Sequence, residues 1–255
     1  PRSQRIIPIQ HCMIQSKGIN KILDVLYSYL HSSRIPIFDS NQSISGLANV
    51  LIRYSEEEEG GLVVFSGDHP NPFDQTDLDA LEKIPGILGC FYSQHEQVEW
   101  EVLGDTLELL FGRSIINEVI SGCRLQLNVR SFFQANLGHV PVLWQCIRAA
   151  LSPTKGMKVL ELYCGSGGIS LAMAPYCAHV HGIELDPEAI DLAEQNANAN
   201  HLTNLSFQCG DVLDGLGDAG AYDAVVVDPS RKGLSVDVID ALREHRVPKL
   251  VYTSC

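Results

Sequence analysis

The chain has 255 residues, 45% hydrophobic and 19% charged, enough apolar material for two ordinary domains but without the roughly 20-residue apolar run that a membrane span needs. Eighteen Lys and Arg against 31 Asp and Glu leave a formal charge of −13, which excludes a protein that coats nucleic acid by bulk electrostatics but allows a local basic groove. Eight cysteines lack the close pairs of a zinc site and the density of a disulfide scaffold, so most read as reduced apolar side chains and no metal site is expected. The opening PRSQRIIPIQ resembles neither a signal core nor a transit peptide and reads as internal to a longer chain. A cytoplasmic or organellar monomer with no membrane partner is expected.

Residues Gly18 to His31 place Ile19, Ile22, Leu23, Leu26, Tyr29 and Leu30 at helical spacing. After a Ser- and Asn-rich connection, LANVLIRY and GLVVFSG read as two strands around the acidic run Glu56 to Glu59, whose simplest reading is a solvated loop tip. Asp74 to Lys83 has a helix's spacing, with Asp74 or Thr76 as cap and Pro85 and Gly86 as the stop. Ile87 to Tyr92, Thr106 to Phe111, Ile115 to Ile120 and Cys123 to Val129 read as further strands. Residues 1–129 are thus expected to form a mixed α+β domain rich in antiparallel pairing, a platform or substrate-side domain.

From Ser131 the texture changes. Phe132 to Leu151 reads as one long helical segment, after which strands at Lys158 to Tyr163, Val180 to Glu184, Leu205 to Cys209, Ala224 to Asp228 and Lys249 to Thr253 alternate with helices starting near Gly168, Pro187, Asp211 and Leu234. That alternation implies βαβ units and an open, mostly parallel sheet over residues 130–255. Such a sheet gathers ligands at the carboxyl ends of its strands. The first strand leads through Tyr163 into the turn Gly165, Gly167 and Gly168, where backbone can approach a ligand. The second ends at Glu184, placed to accept hydrogen bonds from ribose hydroxyls. The third leads to Asp211, which either meets an adenine amino group or caps a helix. Ser170 stands where a dinucleotide fingerprint needs its third glycine, so this set favours S-adenosylmethionine over NAD.

The fourth strand ends in DPSRKG. Asp228 leaves the sheet before a stiffening proline, and Arg231 is a cation for a phosphate or a carboxylate. Ser230 and Arg231 occupy the place where enzymes methylating exocyclic amines often carry an aromatic, which argues against that chemistry. Cys255 follows the fifth strand, where a thiolate faces the pocket as a nucleophile; a buried filler is the alternative.

RSFFQAN (Arg130 to Asn136), LELYCGSGGISL (Leu160 to Leu171), GIELDPEAI (Gly182 to Ile190), DPSRKG (Asp228 to Gly233) and VYTSC (Val251 to Cys255) together resemble the S-adenosylmethionine-dependent RNA uracil-C5 methyltransferases, which make 5-methyluridine in tRNA and ribosomal RNA. The resemblance implies a Rossmann-like class I methyltransferase domain, cut after its fifth strand, behind the family's central domain. It implies Cys255 as nucleophile; Gln134, Tyr163, Gly165, Gly168, Glu184, Asp211 and Asp228 about the cofactor; and Phe132, Phe133, Gln134, Asp228 and Arg231 on the substrate side. By the same resemblance, the Asn-Pro pair that follows the family's cysteine and its downstream glutamate base would fall after Cys255. Cys12 falls where some members place the last ligand of an iron–sulfur cluster, but the other ligands would precede Pro1, so no cluster is expected in this chain. Two other readings stand beside this one: a methyltransferase for another nucleobase or a small molecule, and a cofactor-binding RNA chaperone without catalysis.

Overall fold

A computed structural model describes residues 8–9, 11–39, 44–95, 102–132, 134, 136–230 and 233–254. The chain forms two compact units, Pro1–Ile116 with Ala135–Leu137, and Asn117–Gln134 with Gly138–Cys255.

In the first unit, α1 (Lys17–Ser32) starts where the Ser16 hydroxyl accepts the Ile19 N–H at 3.1 Å, and its buried stripe is Ile22 and Leu26. Strands β1 (Leu47–Ser55), β2 (Gly60–Gly67), β3 (Ile87–Gln94) and β4 (Glu108–Gly112) make one sheet in that order, and α2 (Gln75–Glu82) lies between β2 and β3 in sequence. The outer pairs are antiparallel, but β2 and β3 run parallel. A hairpin cannot join parallel strands, and α2 supplies the crossover they need. The Glu56–Glu59 turn joining β1 to β2 is not wholly solvated, because the Glu58 carboxylate holds Arg113 at 2.7 and 3.3 Å. Ile22, Leu26, Val63, Phe65, Phe73, Leu81 and Tyr92 form the core.

The second unit opens with the antiparallel pair β5 (Ile116–Ile120) and β6 (Cys123–Leu127), turned through Ser121 and Gly122 at φ 49° and 83°. The helix expected from Phe132 begins later, as a 3₁₀ turn at Leu137–His139 followed by α3 (Val140–Leu151). Pro141 explains the delay: it is tolerated in a helix's first turn, whereas a helix started at Phe132 would carry it in the interior. Asn128 adds a local turn, its side-chain oxygen accepting the Ser131 N–H at 2.7 Å.

Next come β7 (Lys158–Leu162), α4 (Gly168–Met173), β8 (His179–Glu184), α5 (Pro187–Ala199), β9 (Leu205–Cys209), α6 (Val212–Gly215), β10 (Ala224–Val227), α7 (Val236–Glu244) and β11 (Leu250–Tyr252). The five strands are parallel in the order β11-β10-β7-β8-β9. The chain builds outward from β7 through β8 and β9, then returns to place β10 and β11 on its other side, so a switch crevice opens at the end of β7. One face packs Val159, Val180 and Val226 under Trp144, Ile147 and Leu171; the other packs Leu160, Leu162, Ile183 and Val227 under Val238 and Leu242. Such two-sided burial is why these strands read as continuous apolar runs.

Two asparagines one turn apart, Asn196 on α5 and Asn200 at its C-cap, tie β6 to this body. Asn200 accepts the Arg124 N–H at 2.8 Å and donates to the Arg124 carbonyl at 2.6 Å, while Asn196 accepts the Gln126 N–H at 2.6 Å and donates to the Ser166 carbonyl at 3.0 Å. Their amides serve the edge of β6 as a further strand would.

Candidate functional site

After β7 the backbone turns sharply, with Tyr163, Gly165 and Gly167 all in the left-handed region at φ 62°, 52° and 83°. For tyrosine this conformation costs about 1 kcal/mol or more and persists only where the surroundings impose it. Here the Cys164 N–H donates to the Ile183 carbonyl at 3.0 Å, the Gly167 N–H to the Cys164 carbonyl at 2.9 Å, and the Gly165 N–H to Glu184 Oε2 at 3.1 Å. A side chain on Gly167 would press on Leu171, Ala193 and Phe207 at 3.0 to 3.2 Å. At Gly165 it would meet nothing within 4 Å, so bare backbone fronts open space there, as close approach by a ligand requires.

Glu184 closes β8, and three backbone N–H groups fix its carboxylate: Gly165 on Oε2, and Leu185 and Asp186 on Oε1 at 2.8 and 3.2 Å. A carboxylate has about four acceptor positions, so one is left for a ligand hydroxyl. Asp211 both caps α6, accepting the Leu213 N–H at 2.8 Å, and lines a cavity of about 130 Å³ with Tyr163, Leu185, Val212, Leu213, Ser235 and Val238. Burial, and then the charges of Asp211 and Glu184, push the Tyr163 phenol above its ordinary pKa, so the phenol stays a neutral donor. The cavity thus sets one acid, Asp211, and the Tyr163 phenol among apolar walls, suited to a flat ring, with the Glu184 carboxylate next in sequence to its Leu185 wall.

On the next strand end, Asp228 Oδ1 accepts the Thr253 hydroxyl. Beneath the crevice lies Glu161, 1% exposed on β7, where its face of the sheet is otherwise apolar, and its carboxyl accepts the Ser170 hydroxyl from α4. Burial pushes it up to about 8 against the opposing Ser170 bond, and the charges of Asp228 and Glu184 add to the rise. Glu161 is therefore protonated at neutral pH. The Cys164 thiol is raised well above its usual value by burial and by the neighbouring Glu161 and Glu184, which leaves it inert as a nucleophile.

The expected site residues thus divide. Tyr163, Gly165, Glu184 and Asp211 gather about the β7, β8 and β9 ends, with Asp228 just past β10. Gly168 starts α4 against Trp144, 3.6 Å from where a Cβ would stand. Gln134 is half-buried and Phe132 is 73% exposed; neither lines the cavity. Phe133, Arg231 and Cys255 lie outside the described residues. Cys12 is half-buried, its N–H on the Asn20 side chain at 3.1 Å, and no group of three or more His, Cys, Asp or Glu suited to a metal occurs among the described residues. The sequence reading missed the apolar wall of Leu185, Leu213 and Val238; a leucine directly after the strand-end acid Glu184 was the available signal.

Residues 153–249 match the family described as a methyltransferase domain. Uncharacterised RNA methyltransferases of Oceanobacillus iheyensis and Enterococcus faecalis are 30% and 29% identical over 262 and 259 residues, covering 100% and 99% of this chain but 57% of each relative. The chain thus spans little more than half the length of these curated relatives. Among solved structures, the tRNA (uracil-54, C5)-methyltransferase of Pyrococcus abyssi in complex with S-adenosyl-L-homocysteine superposes with a TM-score of 0.74 at 20% identity, over 100% of this chain and 62% of that one. The second unit has the class I methyltransferase fold, and along its whole length the chain is a relative of proteins named RNA methyltransferases.

Proposed function

We propose that this chain is the central and catalytic part of an S-adenosylmethionine-dependent RNA methyltransferase acting on C5 of a uridine. The observation that carries the reading is that Tyr163 and Asp211 line one apolar-walled cavity together with Leu185, the residue after Glu184, whose carboxylate holds the N–H of Gly165 where bare backbone fronts open space. When bound, S-adenosylmethionine supplies a methyl group on an electrophilic sulfonium. Glu184 accepts a ribose hydroxyl through its free acceptor position, Asp211 takes the adenine amino group, and Leu185, Leu213 and Val238 exclude water from the ring. Gln134, Gly168 and Tyr163 complete the donor side, while Asp228, Phe132 and Arg231 hold the target nucleotide, swung out of the RNA stack.

Uracil C5 is too weak a nucleophile unaided. The Cys255 thiolate adds to C6, the C5–C6 π electrons pass to the carbonyl at C4, and C5 becomes an enolate carbon that takes the methyl group. A base then removes the C5 proton, the double bond re-forms and the thiolate leaves. RNA carrying 5-fluorouracil tests the reading, since fluorine at C5 cannot leave as a proton does: the whole protein with donor should form a stable adduct lost in Cys255→Ala. Methylation elsewhere on the RNA with no adduct would sink it.

A further inference from the structure

Thr253 is 7% exposed at the end of β11. Its N–H donates to the Val227 carbonyl at 2.9 Å, and its hydroxyl, 3.2 Å from that carbonyl, donates to the nearer Asp228 Oδ1. A hydroxyl has one proton, and the charged acceptor makes the stronger bond. Packing and strand preference do not require the oxygen, because valine has the same branched shape. The hydroxyl's specific partner is the carboxylate. No hydrogen bond from a described residue engages the other oxygen, Oδ2.

We propose that Thr253 is a positioning and specificity-determining residue: it locks the Asp228 carboxylate with one oxygen held and the other presented to the ring edge of the target base. The inference rests on the functional reading above. A fixed, acceptor-only carboxylate favours uracil, whose N3–H donates, over cytosine, whose N3 only accepts. Loss of the hydroxyl lets the carboxylate turn, which weakens transition-state alignment more than ground-state binding.

The test compares Thr253→Val and Thr253→Ser in the whole protein, with methyl transfer to uridine-containing RNA and to the same RNA with cytidine at the target. Thr253→Val should lower kcat/KM on uridine roughly tenfold to a hundredfold, mainly through kcat, and narrow the uridine preference. Thr253→Ser should stay within about threefold of wild type, and adenosylhomocysteine affinity should hold in both. Thr253→Ala gives the same comparison should the valine protein not fold. Valine or alanine proteins as fast and as selective as wild type overturn the proposal, as does a serine protein as impaired as the valine one. If the wild-type protein makes no 5-methyluridine, the functional reading itself fails and the proposal with it.

Discussion

In the first unit carboxylates close structure: Asp74 and Asp77 form the capping box of α2, Asp77 also takes the Tyr29 hydroxyl at 2.5 Å, and Glu58 holds Arg113. In the second, Glu161, Glu184 and Asp228 stand at or under neighbouring strand ends, and among the described residues no Lys or Arg pairs with them; their donors are backbone N–H groups and hydroxyls. An acid paired with a cation is complete. One held by dipoles on one side keeps acceptor capacity on the other, and a parallel sheet brings several such acids to one edge. Burial alone therefore does not separate structural from functional acids here; a cation partner marks Glu58 as structural, and gathering at one sheet edge marks the acids of the second unit.

Four experiments test that contrast. The largest effect should come from Cys255→Ala in the whole protein, with methyl transfer down by roughly a thousandfold or more and adenosylhomocysteine affinity within about twofold on calorimetry. Glu184→Ala leaves three N–H groups without their acceptor and should weaken adenosylhomocysteine binding by about 2 kcal/mol, roughly thirtyfold. Glu161 enters through pH. Its carboxyl titrates near 8 when folded against an ordinary 4.5, so across that window the unfolded chain has lost a proton that the folded chain keeps, and stability falls as pH rises until it levels above about 8. Glu161→Gln removes this dependence and should gain a few kcal/mol on wild type between about pH 5 and about pH 8 in urea unfolding; parallel curves would count against a buried neutral acid. Tyr29→Phe should be the mildest, costing the first unit about 1 kcal/mol with donor binding unchanged.

What could be read in the sequence was local. The five parallel strands, the glycine turn and the Asp186-Pro187 start of α5 each carry their cause within a few residues, and each formed where expected. The parallel pairing of β2 with β3 was not legible, because a strand's apolar pattern does not name its neighbour. The helix start at Leu137 was legible from Pro141 but was outweighed by the apolar spacing upstream. At the site, acids after strand ends could be listed from topology, yet the grip of Thr253 on Asp228 spans 25 residues and that of Asn196 on the β6 edge 70, and neither has a local pattern.

The asparagine pair of α5 and its C-cap bears on where this protein can be cut. A fragment begun at Arg130 would remove the strand that Asn196 and Asn200 grip, leaving a 0%-exposed amide short of partners and taking Ile120 and Leu125 out of the core beneath α3. The same amide braces the Ser166 carbonyl, so the damage would reach the glycine turn rather than stay at the cut end. A cut that spares the glycine turn should therefore fall no later than about Asn117, near the start of β5, although the recognisable motifs begin a dozen or so residues later.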